Sequence, residues 1–164
     1  MSRAFVKEDD GSSNRDDQPD RPLSRYPNYV TPRGHEQLVS RLAELRRQRD
    51  QISDETLSDQ VALSHLAREI RYLEARVETA IVVDPATQPP DEVAFGASVD
   101  VEADDGSVRT VVIVGEDEAD PAAGLISYVS PLACALMGSR VGDLVTWARP
   151  AGDEELEIKA IRYS

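Results

Sequence analysis

Two apolar seams at coiled-coil spacing, separated by a short polar turn, constrain this 164-residue chain more than any other feature. Leu38, Leu42, Leu45 and Ile52 alternate steps of four and three, with Arg49 in the one intervening seam position. Leu63, Leu66, Ile70, Leu73, Val77 and Ala80 keep the same alternation without a break. Such spacing puts each set on one face of a helix. Neither helix is stable alone in water, and SDETLS (53–58) is just long enough to reverse the chain. The pattern therefore predicts an antiparallel helical hairpin. Thr31-Pro32 marks its start, because a threonine oxygen can accept an orphan amide proton and proline is preset for the first helical position. Each arm should be about 30 Å long. Charged residues, Arg68, Glu69, Arg71, Glu74 and Arg76 among them, fill the remaining positions and imply a slender rod, wet on most sides.

DPATQPPDE (84–92) breaks the helical pattern with three prolines and reads as a linker. Beyond it the period changes to two. VAFGASVDVE, the turn Asp104-Asp105-Gly106 and SVRTVVIVG form a predicted β-hairpin, followed by LISYVS, a short helix from Pro131 to about Met137, LVTWARP and ELEIKAIRY. The fold class is α+β: a coiled-coil hairpin over 29–83, then a domain over 93–164 in which an antiparallel sheet of about five strands packs on one short helix. Phe95, Val99, Val111, Ile113, Ile126, Leu136, Val145, Ile158 and Ile161 are its expected core. Residues 1–28 are rich in Asp, Ser, Arg and Pro and lack apolar periodicity, so they are expected to be a disordered tail, AFVKEDD included.

The formal charge is −13, and its distribution is uneven. Residues 1–30 hold six acids and five bases, 31–83 nine and eight, and 84–164 sixteen and five. An acidic C-terminal domain excludes wholesale coating of nucleic acid and favours a basic or amphipathic protein partner. A single cysteine, Cys134, rules out an internal disulfide framework and points to the cytoplasm. It sits in LACALM, where it is expected to be a small buried hydrophobe. No apolar run approaches the length of a membrane span, and no signal-peptide core is visible. His35 and His65 lie on different arms without ligands at metal spacing, and no phosphate-binding glycine motif occurs.

Chemistry-bearing residues concentrate at the hairpin turn. Asp50, Asp54, Glu55 and Asp59 fall within ten residues. Clustered carboxylates suit Mg²⁺, which takes one or two protein oxygens plus water and phosphate. The simpler reading is that they cap the second helix and favour its positive N-terminal dipole. Arg46, Arg47, Arg49, Arg68 and Arg71 could form a basic strip beside the turn, able to hold a segment of RNA backbone; a solvated face is the simpler reading here too.

IVGEDEAD (113–120), LISYVSPLACALMG (125–138), VGDLV (141–145) and the closing IKAIRY (158–163) resemble the C-terminal domain of the bacterial GreA/GreB transcription factors. YVTPRGHEQL (29–38) and RYLEARVETAIVVD (71–84) resemble the start and finish of that family's N-terminal hairpin. The resemblance implies an FKBP-like C-terminal domain docked on the rim of the secondary channel of RNA polymerase, with the hairpin inserted into the channel. It carries Ser127, Ser130 and Pro131 over as polymerase-binding residues, and it implies a cytoplasmic monomer that acts on polymerase and is not itself an enzyme. Arg46, Arg47 and Arg49 become candidates for contact with the nascent RNA 3′ end.

Family members that stimulate transcript cleavage carry a tip motif close to GDxxENAEY, whose acids help to hold a catalytic Mg²⁺ of the polymerase. Here the tip reads ISDETLSDQVAL, and each arm is shorter by about eight residues, or about 12 Å of reach. In that respect the chain resembles short-hairpin members of the superfamily such as the regulator of nucleoside diphosphate kinase. Two readings stand. One is a polymerase-binding elongation regulator without cleavage stimulation and without a cofactor of its own. The other is a cleavage factor in which Asp54, Glu55 or Asp59 replaces the missing motif and orders Mg²⁺ shared with the polymerase. Prolyl isomerase activity would rest on fold analogy alone.

Overall fold

A computed structural model describes residues 19–164. The peptide AFVKEDD lies outside the described residues. The chain runs β1 (Tyr29–Val30), α1 (Pro32–Gln51), α2 (Leu57–Glu78), β2 (Ile81–Val82), β3 (Ser98–Ala103), β4 (Val108–Val114), β5 (Leu125–Ser127), α3 (Pro131–Leu136), β6 (Leu144–Trp147) and β7 (Glu154–Arg162). Three single 3₁₀ turns punctuate it at Pro85–Thr87, Glu116–Glu118 and Pro121–Ala123. The class is α+β, a helical hairpin joined to a curled five-stranded sheet.

The hairpin starts where Thr31-Pro32 predicts, with the Thr31 hydroxyl accepting from the Gly34 amide at 3.0 Å. At 20 and 22 residues, the arms are about 30 and 33 Å long. Their apolar core is confined to the base: Val30, Leu38, Leu42, Leu45, Ile70 and Leu73 are buried. Nearer the turn Ile52, Leu63 and Leu66 are only half-buried, while Leu57 and Val61 are exposed. A two-residue parallel pairing, Tyr29 with Ile81 and Val30 with Val82, ties the entry of the hairpin to its exit.

The sheet order is β5-β4-β3-β7-β6, with α3 lying against β5 and β6. All predicted core residues are buried except Ile161, which is half-buried against the same cluster. Ile158 and Ile161 are three residues apart, a spacing that should send them to opposite faces. A register shift between Asp100 and Val101 resolves this, pairing Val101 with Ile158 and Val99 with Ile161. The extra residue restores both isoleucines to the core face.

The expected all-antiparallel sheet needs correction at one edge, where β5 runs parallel to β4. The two 3₁₀ turns between them give the chain length to travel back before β5 begins, which a tight hairpin would not. The expected disordered tail, 1–28, also needs correction in its described part, 19–28. Asp20 pairs with Arg71 at 2.6 Å, the Arg21 guanidinium lies 3.9 Å over the Tyr72 ring, and Asn28 is buried. An extended segment can be held by side chains of the helix beside it, which requires no apolar periodicity of its own.

Hairpin and sheet meet at the Gly115–Glu118 turn. The Glu118 carboxylate accepts from the backbone amides of Thr31 and Gly115, each at 3.1 Å, and from the Thr31 hydroxyl. A Cβ on Gly34 would lie 2.0 Å from the Glu118 carboxyl carbon. This helical glycine is therefore space for a carboxylate. Gly34→Ala should destabilise the chain in urea unfolding, although alanine is the better helix former by about 1 kcal/mol. In a Glu118→Ala background the same substitution should become neutral or stabilising; destabilisation of equal size in both backgrounds would contradict this account.

Candidate functional site

The segment joining β5 to α3 is built by local capping. The Ser130 amide donates to the Ser127 carbonyl at 2.9 Å, and the Ser130 hydroxyl accepts from the Ala133 amide at 3.3 Å as N-cap of α3. Ser127 Oγ accepts from the Val129 amide at 3.3 Å. Both serines spend hydroxyl acceptor capacity on shaping the turn, and Pro131 stands exposed at the first helical position. Tyr128 anchors the segment from beneath. Its ring makes edge contacts with Tyr29 and Phe95 at centroid separations of 5.5 and 5.7 Å, and its hydroxyl donates to the Pro27 carbonyl at 2.5 Å. The structure thus brings Ser127, Ser130 and Pro131 together on one ridge.

Beside the ridge lies a groove of about 650 Å³, walled by Pro121, Ala122, Pro131, Leu132, Trp147 and Pro150. Arg109 and Arg149 stand at the Trp147 ring, 5.3 and 5.2 Å from its centroid. Composition alone did not single out this groove. Its signal was Trp147, the chain's one tryptophan, on an edge strand between two arginines distant from each other in sequence.

At the far end of the rod the acidic cluster is only partly available. Thr56 and Asp59 form a capping box: the Asp59 carboxylate accepts from the Thr56 amide at 3.0 Å, and the Thr56 hydroxyl accepts from the Asp59 amide at 3.1 Å. Asp54 and Glu55 are exposed in the turn. Among the described residues no group of three or more His, Cys, Asp or Glu is arranged to hold a metal ion. The arginines do not form an unopposed strip. Arg46 pairs with Glu74 at 2.7 Å, Arg47 with Glu44, and Arg49 with Asp50 at 3.1 Å. His65 Nδ1 lies 2.7 Å from Arg68, and His35 is half-buried.

Cys134 is exposed, correcting the expectation that it is buried. With Leu132, Ala133 and Leu136 facing the core, the short helix turns position 134 outward.

Between tip and ridge sits a polar joint that helical patterning did not reveal. The Arg76 side chain is only 4% exposed. Its Nε donates to Asp117 Oδ2 at 2.5 Å, while Tyr72 donates its hydroxyl proton to Asp117 Oδ1 at 2.5 Å. Asn28 donates to the Arg76 carbonyl at 2.7 Å. Asp117 thereby grips α2 as its neighbour Glu118 grips α1.

Residues 88–163 match the family model for the C-terminal domain of the transcription elongation factors GreA/GreB. The chain is 38% identical over 153 residues to the transcription elongation factor GreB of Neisseria meningitidis serogroup B, covering 83% of this chain and 94% of the relative. Because 83% of 164 residues is about 136, about 17 positions of that alignment have no residue in this chain. It is 46% identical over 110 residues to the GreA of Alkalilimnicola ehrlichii, covering 61% and 70% of the two chains. Among solved structures, the GreA/GreB factor from Nitrosomonas europaea aligns over 82% of this chain and 98% of its own, at 23% identity and a TM-score of 0.42. The family model and the GreB and GreA relatives define a transcription elongation factor. The chain belongs to the GreA/GreB family.

Burial, with a further contribution from Asp117, raises the Tyr72 phenol from its ordinary 10.0 to about 12. A raised folded-state value means that the stabilisation tied to the neutral phenol is whole below pH 10 and is lost as pH rises toward 12. The phenolate absorbance missing from Tyr72→Phe should therefore be the part of the wild-type titration that emerges near pH 12. Asp117→Asn should move that step back toward the ordinary range.

Proposed function

We propose that this factor binds RNA polymerase at its secondary channel through the Ser127–Pro131 ridge and regulates elongation without stimulating transcript cleavage. The observation that carries this reading is the mechanical continuity from ridge to rod. Tyr128 ties the ridge to Pro27, Asn28 is tied to α2, and the Gly115–Glu118 turn grips both helices. A head seated on a larger machine through the ridge would therefore aim the rod in one direction.

The tip favours occupation of the channel over chemistry. Asp59 is used to start α2, and the remaining turn acids sit on a part of the rod without a buried core. The turn sequence ISDETLSDQVAL implies arms each shorter by about eight residues than those of cleavage-stimulating members, or about 12 Å of reach. A metal ligand must come within about 2.1 Å of Mg²⁺, so such a shortfall supports the reading without cleavage. In this reading the factor carries no cofactor of its own, works in the cytoplasm as a monomer, and leaves the RNA 3′ end to the polymerase.

Purified polymerase core should retain the wild-type chain, and Pro131→Gly should weaken retention by about tenfold, in line with loss of a central interface contact. On stalled, backtracked complexes the wild type should release no 3′ RNA fragments above the polymerase's own rate. Asp54→Ala/Glu55→Ala/Asp59→Ala should behave as wild type does. Fragment release by wild type that disappears in the triple variant would install the cleavage reading, in which the tip acids order shared Mg²⁺.

A further inference from the structure

We propose that the polymerase segment received by the head groove pairs an apolar side chain with a carboxylate, and that Arg109 and Arg149 bind this carboxylate in competition with Glu154. The inference rests on the docking reading above and assigns the chemistry of the partner.

The argument is one of charge. This chain carries 31 acidic residues, yet none of the residues lining the groove is acidic, and two are arginines. The head's five bases are otherwise matched or outnumbered by carboxylates within ion-pair distance. Arg140 faces Asp91 and Glu92, Lys159 faces Glu102 and Glu157, and Arg162 faces Asp100. At the groove the ratio reverses. Arg109 and Arg149 share one carboxylate, Glu154, at 2.7 and 3.2 Å. Glu154 is only 19% exposed, while the arginine side chains are 41% and 36% exposed and so remain accessible from solvent.

The apolar half of the specificity comes from the same walls. Pro121, Pro131, Leu132, Trp147 and Pro150 offer little to a hydrogen-bonding side chain but a full surface to an aliphatic or aromatic one. Arginine stacked beside an aromatic ring is held as a planar fork, suited to a bidentate carboxylate contact at low cost in side-chain entropy. An incoming carboxylate beside an apolar anchor would satisfy both features. In exchange, Glu154 would share both of its arginine partners with the incoming carboxylate.

The test measures binding of the full chain to purified RNA polymerase core across a salt series. A second readout replaces the chain's single tryptophan, Trp147, with 5-hydroxytryptophan, which can be excited apart from the polymerase's own tryptophans. Arg109→Gln and Arg149→Gln should each weaken binding by about tenfold and flatten its salt dependence. Glu154→Gln should tighten binding about fivefold, because it removes the internal competitor. Loss of fold cannot mimic that opposite sign. The labelled residue should become shielded from acrylamide quenching when polymerase is added.

If polymerase binds and responds to Pro131→Gly while both arginine variants match wild type, this inference is overturned and the docking reading stands. Weaker binding by Glu154→Gln would overturn it as well, since Glu154 would then be a contact and not a competitor. No binding by the wild-type chain would overturn the docking reading and this inference together.

Discussion

A guanidinium buried at the base of a two-helix rod is the constraint on which the rest of the structure depends. Arg76 cannot be left there without a counter-charge, because breaking a buried ion pair by removing one partner costs about 3–5 kcal/mol. Its partner, Asp117, comes from the sheet domain, 41 residues away in sequence. The rod is thus complete only when the head is docked on it. Glu118, the next residue, satisfies the start of α1 through the Thr31 amide and hydroxyl. Two adjacent carboxylates in one turn therefore hold the beginning of one helix and the end of the other.

This arrangement would let a thin hairpin serve as a probe in the proposed role. Its buried core extends only as far as Leu45 on α1 and Ile70 on α2, so the outer half has little to keep it straight except helix propensity and surface ion pairs, which are individually weak. Stiffness is concentrated where direction is decided, at the base. The Ser127–Pro131 ridge shares that base through Tyr128, whose ring meets Tyr29 edge-on and whose hydroxyl donates to the Pro27 carbonyl. A capped tip is compatible with the proposed role, in which presence in the channel matters more than chemistry there.

Much of the fold was legible in the sequence because its signals are local. Heptad spacing gave both arms, Thr31-Pro32 gave the first cap, and Asp105-Gly106 gave the turn between β3 and β4. What escaped was set by partners far along the chain. Arg76 read as one more charge on a wet helix face, since periodicity within α2 contains no trace of Asp117. Nothing within α1 marks Gly34 as the space that the Glu118 carboxylate fills. The parallel entry of β5 depends on two short turns, neither of which fixes strand direction by composition. Of the candidate site, Ser127, Ser130 and Pro131 were visible through likeness to a family. The groove was not, because Arg109, Trp147 and Arg149 meet only when β4 and β6 are placed in one sheet.

The central claim, that the joint fixes the rod relative to the head, is tested most directly by a distance distribution across it. Cys134 is the chain's one cysteine and is exposed on the head, and Ser40 is exposed on α1 between Leu38 and Leu42, within the cored base of the rod, so Ser40→Cys completes a pair for spin labels. The account predicts a single narrow distribution for pulsed dipolar spectroscopy in solution. A broad or multiply peaked distribution in the otherwise unaltered chain would contradict it.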